Sequence, residues 1–162
     1  MADDRLDRCP GAPACGRSKR GQETQQFGRS KGGVSTKVHV AVDGLGNPVR
    51  FVLSPGQAAD VTNAPPLIEG LRFDALLADK GYDADWLIDL VKSAHHAEAV
   101  IPPRKGRNKP RDYDKHIYKQ RNLIERFISW AKHFRRAATR YEKTARNFLA
   151  VWNFAAIIKL LK

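Results

Sequence analysis

A chain of 162 residues, 42% of them hydrophobic, can bury one core, and its length leaves no room for a second full domain. Cys9 and Cys15 are its only cysteines and have no histidine near them at zinc-ligand spacing, which argues against a disulfide framework or a zinc site. No stretch reads as a signal peptide or a membrane span, so a cytoplasmic protein without a membrane partner is expected. The formal net charge of +12 is concentrated: residues 101–146 hold fifteen Lys/Arg against four acids, while residues 38–100 hold four against nine. A footprint of that kind suits a polyanion.

In chain order, residues 1–33 alternate charge with Pro, Gly, Ser and Gln and are expected to be unstructured or extended. Residues 37–42 then place valines at period two, DGLGN (43–47) supplies turn residues, and 48–53 forms a second strand, so a hairpin is predicted with Asp43 in its turn. A short helix around 61–70 takes Pro65 and Pro66 in its first turn and closes at Gly70. Residues 75–78 read as a buried strand with Asp79 at its carboxyl end, where ligands bind in open α/β sheets. Capping the next helix is the alternative for Asp79, and Asp83 or Asp85 could do that equally well.

A helix through Trp86, Leu87, Leu90 and Val91 follows, then a third short strand at 98–101. Residues 102–111 are a loop kept irregular by Pro and Gly, with Arg104, Lys105, Arg107, Lys109 and Arg111 available to DNA phosphates. A helix at 118–132, a basic link with Arg135, Arg136 and Arg140, and a last helix from about Thr144 complete a mixed α/β order without internal repeat. The histidines show no ligand spacing and read as solvent-facing or internally satisfied; Trp86, Trp130 and Trp152 read as core or partner surface.

The 118–132 helix carries the most information. At about 100° per residue, Tyr118, Arg121, Glu125 and Lys132 fall within about 60° of one another, beside an apolar arc containing Leu123, Ile124, Phe127, Ile128, Ala131 and Phe134. An Arg121/Glu125 pair on a solvated helix would contribute only ~0.2–0.5 kcal/mol, and that plain reading stays open. Alternatively, Asp79 and Glu125, brought together within a cationic surface, suit a divalent ion that also takes phosphate oxygens. Arg121 and Lys132 would then contact phosphate, and Tyr118 would position backbone or base.

The spacing Tyr118-x2-Arg121-x3-Glu125-x6-Lys132 resembles the Y-x2-R-x3-E-x6-K signature of a large group of bacterial insertion-sequence DDE transposases. The stretches GRSKGGVSTKVHVAVDGLGNPVRFVLSPGQAADVTNAPPLIEG (28–70), LLADKGYDADWL (76–87), VIPPRKGRNKPRDYDKHIYKQRNLIERF (100–127) and FRRAATRYEKTARNFLA (134–150) look like that family in the same order. The resemblance covers roughly residues 19–162. It implies an RNase H-like mixed sheet flanked by helices and a role in DNA transposition. The implied chemistry is metal-dependent hydrolysis of DNA strands at the element's ends, after which a freed 3′-hydroxyl attacks target DNA. Asp79 matches the second acid of the DDE set and Glu125 the third, both as ligands of two Mg²⁺ (or Mn²⁺) ions; Tyr118, Arg121 and Lys132 match the remaining signature positions. Double-stranded DNA, at the element ends and the target, is the implied partner, bound by a homo-oligomer.

In the family the first acid lies on the first core strand. Here Asp3, Asp4 and Asp7 sit among Arg5 and Arg8 before Pro10, with no apolar alternation to mark a central strand. The first core strand is therefore expected to be missing or altered, with residues 34–162 a partial catalytic domain and the match failing before about Lys19. The chain would be a downstream part that joins an upstream reading-frame product, or a decayed copy. A catalytically silent DNA-binding remnant is the alternative; a housekeeping nuclease of similar core would not require the four-residue signature.

Overall fold

Alternating valines build the central strand of the protein, for which a computed structural model describes residues 3–6, 25–30, 33–108 and 110–161. Strand β3 (Gly33–Val42) sends Val38 and Val40 into one core and His39 and Ala41 toward another, because successive residues of a strand face opposite ways. Strand β4 (Pro48–Pro55) pairs antiparallel with it, from Thr36↔Pro55 to Val42↔Pro48. The predicted hairpin is therefore present. Asp43 closes it by accepting hydrogen bonds from the Leu45 and Asn47 amides at 2.9 and 2.8 Å and from Asn47 Nδ2 at 3.0 Å, and Gly46 supplies a φ of +85°. Partial burial pushes the Asp43 carboxyl up, but the bonds from Asn47, Leu45 and Gly46 outweigh it and leave the pKa below the ordinary value.

Within residues 1–33, expected to be unstructured or extended, two described segments are extended and paired as strands. Strand β1 (Asp3–Leu6) pairs antiparallel with β3 from Asp3↔His39 to Leu6↔Thr36, on the edge opposite β4, and β2 (Gly28–Ser30) pairs with the start of β3. Neither shows hydrophobic alternation, because pairing to the exposed edges of β3 decides the conformation of such short polar segments. Gly28 is required at its place: a Cβ there would fall 1.6 Å from Gln57 Oε1. Lys19 and the rest of 7–24 lie outside the described residues.

A second sheet consists of β5 (Ala75–Leu77) and β6 (Glu98–Val100), parallel and in register from Ala75↔Glu98. Parallel strands need a crossover, and α2 (Asp85–His95) provides it. Before β5, a 3₁₀ turn at Asp60–Asn63 runs into α1 (Ala64–Ile68), whose Pro65 and Pro66 occupy the first turn as predicted. After β6 come α3 (Lys115–Tyr118), α4 (Asn122–Ala131), α5 (Arg135–Ala138) and α6 (Ala145–Leu160).

Helices cover both faces of the sheet. Leu67, Ile68, Leu76, Tyr82, Leu87, Ile88 and Val91 form one apolar cluster, and Val38, Val40, Ile124, Phe127, Ile128, Phe148 and Trp152 form the other. Phe51 of β4 packs against Phe127 and Trp152, with ring centroids 6.0 and 5.8 Å away. Burying side chains of this size contributes about 1.5–3 kcal/mol each, which anchors α4 and α6 to the hairpin. The architecture is mixed α/β, as the order of predicted elements implied. Among the described residues no helix is long and apolar enough to cross a membrane.

Residues 118–132 do not form one uniform α-helix. Lys119–Arg121 is a 3₁₀ turn between α3 and α4, and Lys132 is the C-cap residue of α4. The backbone stays in the right-handed helical region through Tyr118, Lys119, Arg121 and Asn122, so the path tightens and does not break. Tightening matters for alignment: in a 3₁₀ turn residues i and i+3 eclipse, which superposes Tyr118 and Arg121.

Candidate active site

Asp79 follows β5 directly and caps the 3₁₀ turn Lys80–Tyr82. Its Oδ1 accepts the Lys80 amide at 2.7 Å, its backbone carbonyl accepts the Tyr82 amide at 2.8 Å, and Oδ2 has no bond among the described residues. The capping alternative is thus realised by one oxygen and on this short turn only. The N-cap of α2 is Ala84, which has no side-chain cap. Asp79 is half-buried at the carboxyl end of β5, so its second oxygen can meet a ligand.

Glu125 sits in the first turn of α4, where Arg121 donates to its Oε1 at 2.6 Å; Oε2 has no bond among the described residues. The Arg121 guanidinium also lies 5.5 Å from the Tyr118 ring centroid. Burial pushes the Tyr118 hydroxyl pKa up and the Asp79 charge adds to that shift, while Arg121 opposes it. Tyr118, Arg121 and Glu125 thus form one connected group. Exposed Lys132 lies two turns further along. A cleft of about 530 Å³ opens beside this group, between Ala41 and Val42 of β3 and Ala75 and Leu76 of β5, with Arg121 and Ile124 on its wall.

The cations predicted to meet phosphates divide into two sets. Arg107 and Arg111 both ion-pair with Asp83 and Asp85, with Arg107–Asp83 at 2.7 Å and Arg111–Asp85 at 2.6 Å. Arg104 donates to the carbonyls of Lys80 and Gly81 at 3.1 and 2.7 Å. Arg140 points inward: it is 4% exposed, donates to Thr36 Oγ1 and the Glu142 carbonyl, and stacks 3.8 Å from the Phe27 ring centroid and 5.3 Å from that of Phe148. Assigning Arg140 to the DNA surface is corrected by this placement, since a buried guanidinium inside an aromatic sandwich does not face solvent. Lys105, Arg135 and Arg136 are exposed, and Lys109 lies outside the described residues. Arg135 donates to Tyr141 Oη at 3.0 Å, and Arg136 lies 3.8 Å from Glu142 Oε1.

Sequence reasoning missed Asp83 as the anchor of the basic loop. It is 4% exposed and accepts from the Arg104 amide at 2.8 Å as well as from Arg107 and Arg111. Burial pushes its carboxyl up, but these donors outweigh that and hold its pKa below the ordinary value. Two acids at i and i+2 opposite a loop of five cations were the available signal.

The model of the transposase DDE domain family matches residues 10–160. A protein of Brucella ovis named as a transposase for insertion sequence element IS6501 is 35% identical over 130 residues, which cover 80% of this chain and 100% of the relative. One of Burkholderia cepacia, named as a transposase for insertion sequence element IS402, is 29% identical over 143 residues, covering 76% of this chain and 65% of the relative. No solved structure matches the chain at a significant level. With a family model spanning nearly its whole length and a relative matched end to end, the chain belongs to the family of transposase DDE domains.

Proposed function

We propose that this protein acts in DNA transposition at the ends of an insertion sequence, through an RNase H-like site in which Asp79 and Glu125 are the metal-holding carboxylates. The observation that supports this most is geometric: Arg121, which contacts both Tyr118 and Glu125, lines the same cleft as Leu77, the last residue of β5, two positions before Asp79. Each carboxylate spends one oxygen on a protein donor and keeps the other, a donor set that fits Mg²⁺ or Mn²⁺ completed by phosphate oxygens and water. When bound, such ions activate an attacking oxygen and stabilise a leaving one in phosphoryl transfer. Arg121 fixes Glu125 and keeps positive charge beside it, and Tyr118 and Lys132 flank the phosphate path.

Duplex DNA would be held by Lys105, Lys132, Arg135 and Arg136, whose side chains are exposed, with Arg104, Arg107 and Arg111 shaping the loop that presents Lys105. Joining two element ends to a target calls for more than one copy, so the proposal includes a homo-oligomer on DNA and allows an upstream reading-frame product as a partner. Strand β1 puts the acidic positions 3 and 4 beside His39 and Val38 in the backbone register. Whether either completes the carboxylate set is decided by Asp3→Asn and Asp4→Asn in the cleavage assay below.

A second reading, a DNA-binding remnant without catalysis, draws on the concentrated positive charge of residues 101–146, fifteen Lys/Arg against four acids, which would hold phosphates whether or not the acids hold a metal ion. The two separate in an assay of Mg²⁺-dependent cutting of element-end duplexes. Cutting that Asp79→Ala and Glu125→Gln each abolish, with DNA affinity retained, supports the first reading. Binding that weakens steeply with salt, with no cutting, supports the second.

A further inference from the structure

The turn that carries Asp79 is held from two directions by residues outside it. From the sheet, His39 of β3 is fully buried, with Nδ1 2.9 Å from Tyr82 Oη and Nε2 2.8 Å from Ser54 Oγ of β4. In a neutral imidazole one ring nitrogen donates and the other accepts, so both hydroxyls are satisfied in either tautomer. Burial keeps the ring in that neutral form, lowering its pKa to about 4. Tyr82 is itself fully buried and is the last residue of the turn.

From the opposite direction, the Arg104 guanidinium chelates the consecutive carbonyls of Lys80 and Gly81, while its amide bonds Asp83 just beyond the turn. A third surface closes behind the glycine: a Cβ at Gly81 would meet Asp60 Oδ2 at 3.1 Å, and Asp60 is fixed by an ion pair to Lys37 of β3 at 2.5 Å. A three-residue 3₁₀ turn has few bonds of its own and is weak alone. Among the described residues its internal bonds are three: the Lys80 amide to Asp79 Oδ1 at 2.7 Å, the Tyr82 amide to the Asp79 carbonyl at 2.8 Å and the Asp83 amide to the Lys80 carbonyl at 3.2 Å. Ordering Asp79 against solvent therefore depends on its external holds.

We propose that His39, acting through Tyr82, and Arg104, acting through the Lys80 and Gly81 carbonyls, are positioning residues that set the direction of the Asp79 carboxylate. This rests on Asp79 being an active-site acid, as proposed above, but the hold itself is a property of the folded chain and is measurable without catalysis. It also gives Arg104 a role different from the phosphate contact its charge would suggest.

The test is amide hydrogen exchange by NMR on the full chain, comparing Tyr82→Phe and Arg104→Ala with the parent, followed by cleavage kinetics. Tyr82→Phe keeps the buried ring and removes only the hydroxyl; Arg104→Ala alters an exposed side chain and leaves the core intact. Each should speed exchange at the Tyr82 and Asp83 amides about tenfold, with less than about twofold change at Ile88 and Val91 of α2. Where the parent cuts DNA, kcat should fall about tenfold in both variants with KM for DNA unchanged. Unchanged exchange at Tyr82 and Asp83, or protection lost evenly along α2, overturns the proposal. So does a raised KM at unchanged kcat in Arg104→Ala, which marks a phosphate contact. A parent that does not cut counts against the active-site reading of Asp79, and the exchange data then decide the positioning proposal alone.

Discussion

Arg121 donates to Glu125 Oε1 at 2.6 Å and at the same time lies against the Tyr118 ring, so the third residue of a 3₁₀ turn joins the helix before it to the helix after it. As an ion pair this link is worth little. The Glu125 side chain is 52% exposed, and exposed i, i+4 pairs contribute about 0.3–0.5 kcal/mol. Arg121→Ala should therefore shift the midpoint of thermal unfolding by no more than about 2 °C for a chain of this size while reducing metal-dependent DNA cutting at least tenfold. A calorimetric scan alongside the cleavage assay checks both; a large stability loss would show that the pair is structural.

The inward and outward cations should behave oppositely. Arg140→Ala removes a buried guanidinium that contacts Phe27 and Phe148 and donates to the Thr36 hydroxyl and the Glu142 carbonyl, leaving a void in its place, at a cost of about 2–4 kcal/mol. Its salt dependence of DNA binding should match the parent's. Arg136→Ala should leave stability within about 0.5 kcal/mol and reduce the log–log salt slope by about 1. Denaturant titration and fluorescence anisotropy at several salt concentrations separate the two.

Strong acid should loosen the basic loop. The folded pKa of Asp83 lies below the ordinary 3.8, so its contribution to stability is fully present above pH 3.8 and is lost as pH falls through the depressed value. Unfolding free energy measured from pH 5 downward should therefore fall more steeply in the parent than in Asp83→Asn, which lacks this titration and is weaker at pH 7.

A second pH effect lies higher. His39 has a folded pKa near 4 against an ordinary 6.5, because burial opposes its charged form; the nearby Asp60 raises it and Lys37 lowers it. The unfolded chain takes up the proton first, so this contribution is complete above pH 6.5 and declines as pH falls toward 4, by up to about 1.4 kcal/mol per pH unit. His39→Gln should flatten the stability profile between pH 6.5 and 4, as read by urea unfolding at half-unit steps.

What the chain spells out locally was legible. The hairpin follows from valines at period two around an Asp-Gly turn, and the β5–Asp79 junction follows from a short apolar run that stops at an acid. The 118–132 spacing located Tyr118, Arg121 and Glu125, since helical neighbours depend on sequence distance alone. Features set by tertiary partners were not. Strand β1 owes its conformation to the edge of β3, and its four residues, three of them charged, carry no sign of that. Arg140 looks like Arg136 in the sequence, because charge does not reveal which way a side chain faces. His39 meets Tyr82 across 43 positions, and neither residue alone indicates that they meet.

The central claim, that Asp79 and Glu125 act together on DNA, is tested most directly by measuring Mg²⁺-dependent cleavage of element-end duplexes by the parent, Asp79→Ala and Glu125→Gln at matched DNA occupancy. The account predicts that the parent cuts and that each variant loses at least a thousandfold in rate while binding DNA as tightly as the parent. Cutting that survives either substitution, or a parent that binds the duplex without cutting it in Mg²⁺ or Mn²⁺, would contradict it.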